Sequence, residues 1–375
     1  MHEIQRIAFC CTTRSLGGME LNIIRLAVWM RERGHHCVVV AAEDAPIRER
    51  ALTAGLPCMT LDIRSRYIVR GAAHRLARQL GEERISTLVL NTSRDLLLGV
   101  LTKRRSDVGL RLLHTQHMQI GQRKKDVLHR WQYRHLDAWI APLPSMAEQT
   151  LRLTNISPER IHIIPFGIDL RQYAASITRD TARSTLQLPP EAYIVGMVGR
   201  LDRGKGQEFL LRAVAQLHNQ GLNIHALLIG EETRGETQGY AEELHALARE
   251  LNIETYIHFR GFRENVSTAY AAMNAFTLTS LSETYGMVTI EAMAAGLPVV
   301  ATDSGGTPDL VTDEMTALLI PPADEVALAA AIRRLAEDGE LAQRLARNAH
   351  ACAQLHFSHS MQCEKVEQLI ERITL

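Results

Sequence analysis

The chain has 375 residues, with 42 lysines and arginines against 42 aspartates and glutamates. Its 46% hydrophobic and 22% charged residues are typical of a soluble globular protein, long enough for two domains with separate cores. No apolar run approaches a membrane span of about 18 residues, the N-terminus lacks a signal-peptide pattern, and the six cysteines show no zinc-type spacing. We therefore expect a cytoplasmic protein, and we expect no nucleic-acid partner.

The charges are unevenly distributed. Residues 1–170 hold 25 lysines and arginines against 16 aspartates and glutamates, and the remainder holds 17 against 26. The basic residues of the first half cluster at Arg64, Arg66 and Arg70, at Lys103–Arg105, and at Arg123–Lys125 with Arg130 and Arg134. These clusters are either solvated faces or a surface for peripheral contact with anionic lipid at the inner face of the membrane, or with an anionic glycan.

Short apolar runs alternate with amphipathic stretches along the first half, a pattern typical of βαβ units and a parallel sheet. A helix is predicted at Gly18–Arg33, with Gly34 in a favourable position to end it. Strands are predicted at Ile7–Cys11, Cys37–Ala42, Cys58–Leu61, Thr87–Asn91, Leu110–His114, Ala138–Ala141 and Ile161–Ile164.

A second series of the same kind follows Asp169, after a predicted linker at Leu170–Pro190. Its strands are predicted at Ile194–Val198, His225–Ile229, Tyr256–Phe259, Phe276–Thr279, Val299–Ala301 and Ala317–Leu319. Helices are predicted at Gln207–Asn219, Tyr240–Leu251, Met287–Ala295, Glu325–Asp338, Leu341–Gln354 and Met361–Ile373.

The segment Ser280–Gly306 places two carboxylates around the start of a helix. Glu283 lies in the preceding loop and Glu291 lies inside the helix. The turn at Tyr285–Val288, which contains Gly286 and Met287, is a natural seat for phosphate, because a helix N-terminus offers unpaired N–H groups. Glu291 lies roughly 8 Å along the axis, a reach that suits a sugar diol beside that phosphate. This geometry favours a nucleotide-sugar ligand.

The pattern S-x-x-E-x-x-G-x-x-x-x-E-A-M-A-x-G-x-P-V-V in this segment resembles that of the family 4 retaining glycosyltransferases. Four other segments resemble the same family: Gly17–Glu20, Thr115–His117, Pro165–Asp169, and Gly199–Leu201 with Lys205 and Gly206. The resemblance implies an α/β protein with the GT-B fold, two facing Rossmann-like domains with parallel sheets and an inter-domain cleft. Domains are expected at residues 1–169 and 170–356, with a terminal helix at 357–375 crossing back to the first.

The resemblance also implies roles for individual residues. Glu283, His117, Arg200 and Lys205 would be catalytic, through contacts with donor hydroxyls or the diphosphate. The substrate-binding set would comprise Gly17, Gly18, Arg200, Lys205, Arg260, Phe262, Glu283, Tyr285, Gly286, Met287, Val288 and Glu291. Arg260–Arg263 would form the base-binding edge, mainly through backbone groups, and Glu291 would hold the ribose. Phe166 and the run Gly230–Glu232 depart from the family pattern.

The implied reaction is transfer with retention of anomeric configuration, without a metal or other cofactor, since the chain shows no D-x-D motif. We expect a hexose or N-acetylhexosamine to pass from a nucleotide-sugar, UDP-sugar favoured over GDP-sugar, to a glycan, lipid-linked or small-molecule acceptor in cell-surface polysaccharide or glycolipid assembly. A nucleotide-sugar epimerase or hydrolase on the same fold and a non-catalytic nucleotide-sugar or glycan-binding protein are the alternatives. The oligomeric state is left open.

Overall fold

A computed structural model describes residues 4–63, 69–173, 177–233, 237–263 and 265–374. Arg64 and Arg66, which belong to one predicted basic cluster, lie outside these residues. Contacts divide the chain into two compact units. Unit 1 comprises Met1–Gly167 and His359–Leu375, and unit 2 comprises Ile168–Ser358.

Unit 1 is built on a seven-stranded parallel sheet, in the order β3-β2-β1-β4-β5-β6-β7. Its strands are β1 (Arg6–Cys11), β2 (His36–Ala42), β3 (Cys58–Leu61), β4 (Thr87–Leu90), β5 (Arg111–Thr115), β6 (Ala138–Ala141) and β7 (Ile161–Ile163). The connecting helices are α1 (Gly18–Glu32), α2 (Pro46–Thr53), α3 (Arg70–Glu82), α4 (Leu96–Lys103), α5 (Val127–Arg134) and α6 (Pro144–Leu153).

Unit 2 contains a six-stranded parallel sheet, in the order β10-β9-β8-β11-β12-β13. Its strands are β8 (Tyr193–Val198), β9 (Ile224–Ile229), β10 (Ile257–Arg260), β11 (Ala275–Leu278), β12 (Val299–Thr302) and β13 (Leu318–Ile320). The helices are α7 (Arg179–Thr185), α8 (Gln207–Asn219), α9 (Tyr240–Glu250), α10 (Ser267–Ala272), α11 (Met287–Ala294), α12 (Thr307–Leu310), α13 (Glu325–Glu337) and α14 (Gly339–His356).

The predicted strands are confirmed, each within one residue at either end. Their apolar runs were a reliable signal because the central strands are buried on both faces, as parallel strands covered by helices must be. In β1, five consecutive residues, Ile7–Cys11, are at most 1% exposed. A strand with such a run cannot lie at a solvated edge.

The predicted linker at Leu170–Pro190 was wrong in part, because α7 lies within it. The side chain of Arg183 is buried and donates hydrogen bonds to the carbonyl of Ala272 at 3.1 Å and to the side chain of Asn274. This short helix is thus held in unit 2 by a charged side chain. An apolar periodicity, the signal used for the other helices, is too weak over seven residues to reveal it.

In each sheet, the direction in which successive strands are added changes once. The loops that follow the strands on either side of this switch point carry most of the predicted site residues. In unit 1 the reversal falls between β1 and β4, and in unit 2 it falls between β8 and β11. In an open parallel sheet, ligands bind outside the carboxyl ends of the strands at such a switch point. No helix of the described residues is long and apolar enough to cross a membrane.

The last helix, α15 (His359–Thr374), packs against α1 within unit 1. Its Glu367 is 1% exposed. The Glu367 carboxylate accepts two hydrogen bonds from the Arg33 guanidinium, at 2.6 and 2.7 Å, and lies 2.8 Å from His35 Nε2. Burial alone would raise the pKa of this carboxyl, but the hydrogen bonds from Arg33 and His35 outweigh it and lower the pKa. The ion pair therefore fixes the terminal helix to the first one.

We predict that Glu367→Gln lowers the free energy of unfolding of unit 1 by about 2 kcal/mol at neutral pH, because it removes the buried carboxylate that accepts charge-assisted hydrogen bonds from Arg33. Urea unfolding followed by tryptophan fluorescence measures this unit alone, since all three tryptophans, Trp29, Trp131 and Trp139, belong to it. The exposed Glu364→Gln in the same helix is the matched control.

The same pair predicts a pH dependence. The folded pKa of Glu367 lies below its unfolded value of about 4.3. The stabilisation is therefore complete above that value and is lost as the pH falls through the folded pKa. The difference between wild type and Glu367→Gln should shrink in that acidic range, and an equal stability of the two proteins at neutral pH would contradict the assignment.

Candidate functional site

In unit 2, the loops that follow β8 and β11 are joined at the switch point. The backbone N–H of Leu281 donates to the carbonyl of Gly204 at 2.9 Å, and the hydroxyl of Thr279 donates to the carbonyl of Lys205 at 2.9 Å. Gly206 has φ +72°, and a Cβ there would lie 2.3 Å from the Thr279 carbonyl oxygen. Only glycine allows the two loops to approach this closely.

Lys205 and Glu283, predicted separately from two motifs, are in contact. The Lys205 Nζ lies 2.6 Å from Glu283 Oε2, which also accepts a hydrogen bond from the Ser280 hydroxyl at 3.2 Å. The N–H of Gly306 donates to the Glu283 carbonyl at 2.8 Å and fixes its backbone. The two side chains are 27% and 13% exposed, so both remain accessible to a ligand. The ammonium can bind a phosphate oxygen, and the carboxylate can accept a hydroxyl.

The helix α11 begins directly after this pair. Gly286 precedes it with φ +87°, Tyr285 is buried, and Met287 and Val288 are half-buried in its first turn. The first N–H groups of a helix have no intrahelical partner and lie at the positive end of its dipole. The structure therefore places a helix N-terminus and the Lys205 ammonium in neighbouring positions of one unit, a combination suited to a diphosphate.

Glu291 lies in the same helix and is 7% exposed. Its Oε2 accepts a hydrogen bond from the hydroxyl of Tyr270 at 3.0 Å. Burial, with the nearby Glu291 charge, raises the pKa of Tyr270 well above its usual range, so this tyrosine stays a donor at any physiological pH. The sequence did not predict this role of Tyr270, because a tyrosine in the apolar run Ala269–Ala272 is typical of an ordinary core residue.

Arg200 makes different contacts from Lys205, although both belong to the loop after β8. Its Nη1 lies 3.4 Å from the Thr233 hydroxyl and its Nη2 lies 3.7 Å from Asp202. Thr233 belongs to the loop after β9. The Lys205 side chain therefore contacts Glu283 at the switch point. The Arg200 side chain instead points toward the carboxyl end of β9.

A cavity of about 610 Å³ lies at that strand end, lined by residues that include Thr233, Glu231 and Arg260. The Arg260 guanidinium donates to the Leu186 carbonyl at 2.6 and 3.0 Å, which leaves little freedom to its side chain. Phe262 is 67% exposed, and its backbone N–H donates to Glu231 Oε1 at 3.0 Å. Glu231, part of a run that departs from the family pattern, thus shapes the predicted base-binding edge.

In unit 1, the loop after β1 is organised by the buried carboxylate of Glu20. It accepts hydrogen bonds from the backbone N–H of Gly17 at 2.9 Å and from the hydroxyls of Thr13 and Ser15 at 2.7 and 3.1 Å. A Cβ on Gly18 would meet no atom within 4 Å. Packing inside the protein therefore does not require glycine at this position, and the space beside it is open to a ligand.

A second buried carboxylate, Asp95, holds the start of that loop. It accepts hydrogen bonds from the backbone N–H of Thr12 at 3.1 Å and from the Thr12 hydroxyl. Burial raises the pKa of Asp95 to about 6. No motif or periodicity pointed to Asp95, whereas Glu20 lay inside the motif Gly17–Glu20.

His117 lies after β5, where its Nε2 is 3.1 Å from Asn91 Oδ1. The Asn91 amide nitrogen faces the carbonyls of Cys10 and Val89, so its oxygen is the acceptor and Nε2 carries the proton. The imidazole stacks on buried Phe166, with ring centroids 4.9 Å apart. Burial lowers the pKa of His117 to about 3, so the ring is neutral and Nδ1 is left as an acceptor.

Within the described ranges, no three His, Cys, Asp or Glu side chains converge as a metal-binding group. The predicted residues instead form two sets. Lys205, Glu283, Glu291 and the first turn of α11 lie together in unit 2, and Gly17, Gly18 and His117 lie near the strand ends of unit 1. Arg200, Arg260 and Phe262 lie apart from both sets, near the ends of β9 and β10.

Solved structures with a similar architecture define the fold. The crystal structure of HepE from Anabaena in complex with UDP matches with a TM-score of 0.85 and 24% identity, over 98% of this chain and all of the other. A glycosyltransferase from Rickettsia africae matches with a TM-score of 0.89 and 17% identity, over 100% and 99% of the two chains. The two Rossmann-like units are those of the GT-B fold.

Sequence comparison defines the family. The model of Glycosyltransferase Family 4 matches residues 16–172, and that of Glycosyl transferases group 1 matches residues 178–351. The chain belongs to these glycosyltransferases. It is similar to the D-inositol 3-phosphate glycosyltransferases of Streptomyces bingchenggensis, with 31% identity over 56% of this chain and 47% of the relative, and of Mycobacterium sp. strain KMS, with 35% identity over 55% and 46%. The matches span about half the length of these relatives.

We predict that the imidazole of His117 does not titrate between about pH 5 and 8, because burial keeps its folded pKa far below the unfolded value of about 6.5. NMR of histidine-labelled protein, with the resonance assigned by His117→Asn, measures this directly. The neutral ring stabilises the fold above the unfolded pKa, and that contribution falls as the pH drops below it. A midpoint near 6.5 would contradict the neutral ring.

Proposed function

We propose that the protein transfers a sugar from a nucleotide-sugar donor and that unit 2 holds the donor. The observation that carries this proposal is the contact of Lys205 with Glu283 beside the N-terminus of α11. A cation and a helix N-terminus suit the diphosphate, and a carboxylate suits the hydroxyls of the sugar. The half-buried position strengthens these contacts relative to water.

In this function, each residue of the unit 2 set has one role. Lys205, Arg200 and the N–H groups of Met287 and Val288 stabilise the leaving diphosphate. Glu283 holds donor hydroxyls and Glu291, oriented by Tyr270, holds the ribose. The cavity beside Arg260 and Phe262 receives the base.

The mechanism we propose is front-face transfer with retention and without a metal. A donor phosphate oxygen takes the proton of the acceptor hydroxyl as the new glycosidic bond forms and the bond to the diphosphate breaks. Positioning supplies most of the rate in such a step, because no protein base is needed. In unit 1, we assign a sugar hydroxyl to Nδ1 of His117, and the open space beside Gly18 to a sugar ring.

The donor is proposed to be a UDP-sugar, carrying a hexose or an N-acetylhexosamine, in preference to a GDP-sugar. HepE has been crystallised with UDP and with UDP-glucose, which makes these two the first ligands to test. The acceptor is proposed to be a glycan, lipid-linked or small molecule used in cell-surface polysaccharide or glycolipid assembly.

Peripheral contact with anionic lipid is proposed through the surface of α5. Val127 and Leu128 at its start are 83% and 47% exposed. The basic residues Arg123, Lys125 and Arg130 flank them, and none of the three forms an ion pair among the described residues. Exposed apolar side chains within a basic surface suit the interface of an anionic bilayer.

We predict that UDP raises the melting temperature of the protein, equally with and without EDTA, and that Lys205→Met removes most of this shift. Arg203→Met is the control, since Arg203 lies in the same loop but pairs with Glu243. Differential scanning fluorimetry with UDP, GDP, ADP and their glucose conjugates makes the comparison. Equal responses of the two variants would contradict the donor site, and a response lost in EDTA would contradict the metal-free mechanism.

Turnover of UDP-glucose then separates transfer from its alternatives. Release of UDP that depends on an added acceptor supports a transferase, acceptor-independent release of glucose indicates a hydrolase, and a changed sugar on UDP indicates an epimerase. Binding without any turnover indicates a binding protein.

For the lipid surface, we predict co-sedimentation with vesicles of phosphatidylcholine and phosphatidylglycerol that weakens at high salt. The double substitution Val127→Asp and Leu128→Asp should abolish it, because both charges would enter the lipid interface. Leu52→Asp, at another exposed leucine of unit 1, is the control. Equal binding of both variants would exclude α5 as the contact.

A further inference from the structure

The loop that follows β1 is held by a carboxylate from the segment that follows β4. A short helical turn, Ser93–Asp95, begins there, and the Thr92 side chain accepts a hydrogen bond from the Arg94 N–H at 3.2 Å at its start. This turn directs the side chain of Asp95 back toward β1, and the residue is 2% exposed. The carboxylate therefore lies behind the loop and not at the surface of the site.

Three hydrogen-bond donors converge on this carboxylate. The Thr12 N–H lies 3.1 Å from Oδ2, the Thr12 hydroxyl donates to Oδ1, and the Cys10 thiol lies 3.9 Å from Oδ2. Burial raises the pKa of Cys10 well above its usual range, so the thiol keeps its proton. An ionised carboxylate can accept from all three groups, whereas an amide or a protonated carboxyl would turn an N–H or O–H toward a donor.

The charge of Asp95 does not stabilise the fold. Asp95 forms no ion pair with any described residue, and burial raises its pKa to about 6. The titratable groups that face it are Cys10 and Cys11 of β1 and the exposed Arg94 of its own turn, and residues 96–99 at the start of α4 add none. A buried carboxylate without a cation is destabilising. Stability alone therefore does not account for an aspartate at this position.

The loop that Asp95 holds faces the space assigned to a sugar. It comprises residues 12–17, and its far end is held by Glu20. Its middle residues line a cavity of about 490 Å³ at the strand ends of unit 1, which His117 also lines. Gly18 follows the loop directly and borders open space. A displacement at Thr12 would therefore be transmitted to the residues beside the sugar.

We propose that Asp95 is a positioning residue for sugar transfer, whose ionised carboxylate orders the loop after β1 and whose protonation releases that loop and lowers turnover. The effect on turnover rests on the proposed function, whereas the effect on the loop does not. The pKa of about 6 places this change just below neutral pH.

The stability of the protein should change with pH in the opposite sense. The folded pKa of Asp95 lies above the unfolded value of about 3.9, so stability falls as the pH rises through the range between them. Asp95→Asn cannot titrate. The melting temperature of the wild-type protein should therefore rise relative to that of Asp95→Asn as the pH is lowered from about 7.5 to about 5. A constant difference would contradict a buried, titrating carboxyl.

The first test is hydrogen exchange of residues 12–18 in the full chain, followed by mass spectrometry at about pH 7.5 and about pH 5 and corrected for the chemical exchange rate. We expect Asp95→Asn to raise exchange about fivefold or more at the higher pH, and the wild-type protein to approach the variant at the lower pH. Asp44→Asn is the matched control, because Asp44 pairs with Arg14 of the same loop through an exposed ion pair. Equal exchange in Asp95→Asn and wild type at the higher pH would overturn the proposal.

The second test is the release of UDP from UDP-glucose over the same pH range. We expect the kcat of the wild-type protein to fall below about pH 6 with little change in KM, and that of Asp95→Asn to be about tenfold lower and free of this acid limb. Asp44→Asn should follow the wild-type profile. A wild-type profile for Asp95→Asn would overturn the positioning role. Tryptophan fluorescence checks that each variant is folded.

Two variants of Thr12 test the same contact without changing the carboxyl. Thr12→Val removes the hydroxyl donor and keeps the N–H, so the carboxylate is less stabilised and the acid limb should move to higher pH. Thr12→Ser keeps the hydroxyl and should keep the wild-type profile. Identical profiles for the two variants would overturn the role of this contact.

The measurements separate this proposal from the proposed function. A wild-type protein without a melting shift from UDP and without UDP release at any pH would reject the donor function, and hydrogen exchange would then decide whether Asp95 orders the loop. An intact UDP response and unaltered turnover in Asp95→Asn would reject the positioning role alone.

Discussion

The contact between the loops after β8 and β11 is the constraint on which the unit 2 site depends. Gly206 lets one backbone approach the other, and the hydrogen bonds of Thr279 and Leu281 hold them together. Lys205 and Glu283 meet as a result. Because backbone contacts fix the positions of these residues, little reorganisation is needed to bind a diphosphate.

Unit 1 uses buried carboxylates for the same purpose. Glu20 and Asp95 accept hydrogen bonds from successive parts of the loop after β1. These hydrogen bonds fix the conformation of the loop and leave the space beside Gly18 open. His117 is fixed by Asn91 and Phe166, and burial keeps it neutral. In both units, therefore, residues behind the site set the position and the protonation of the residues that would face a ligand.

The sequence was sufficient to predict the strands, and it singled out Lys205 and Glu283, whose side chains are in contact. Continuous apolar runs such as Ile7–Cys11 predict strands that are covered on both faces, and Lys205 and Glu283 lie in motifs that resemble those of the family. Supporting residues could not be predicted in this way. Tyr270 supports Glu291 across 21 positions of sequence, and Asp95 supports the β1 loop across 83. Neither contact produces a recognisable pattern in the neighbouring sequence.

The helix α7 shows the same limit at the level of secondary structure. It was assigned to a linker because it is short, and its anchor is the buried guanidinium of Arg183, whose partners Ala272 and Asn274 are remote in sequence. A charged anchor of this kind is invisible to any method based on apolar periodicity.

A crystal structure of the protein with UDP tests the central claim most directly. The account predicts that the β-phosphate lies within hydrogen-bond distance of Lys205 Nζ and of the first N–H groups of α11, with the ribose hydroxyls on Glu291. A UDP molecule whose phosphates lie away from the loops after β8 and β11, or one bound in the cavity of unit 1, would contradict it.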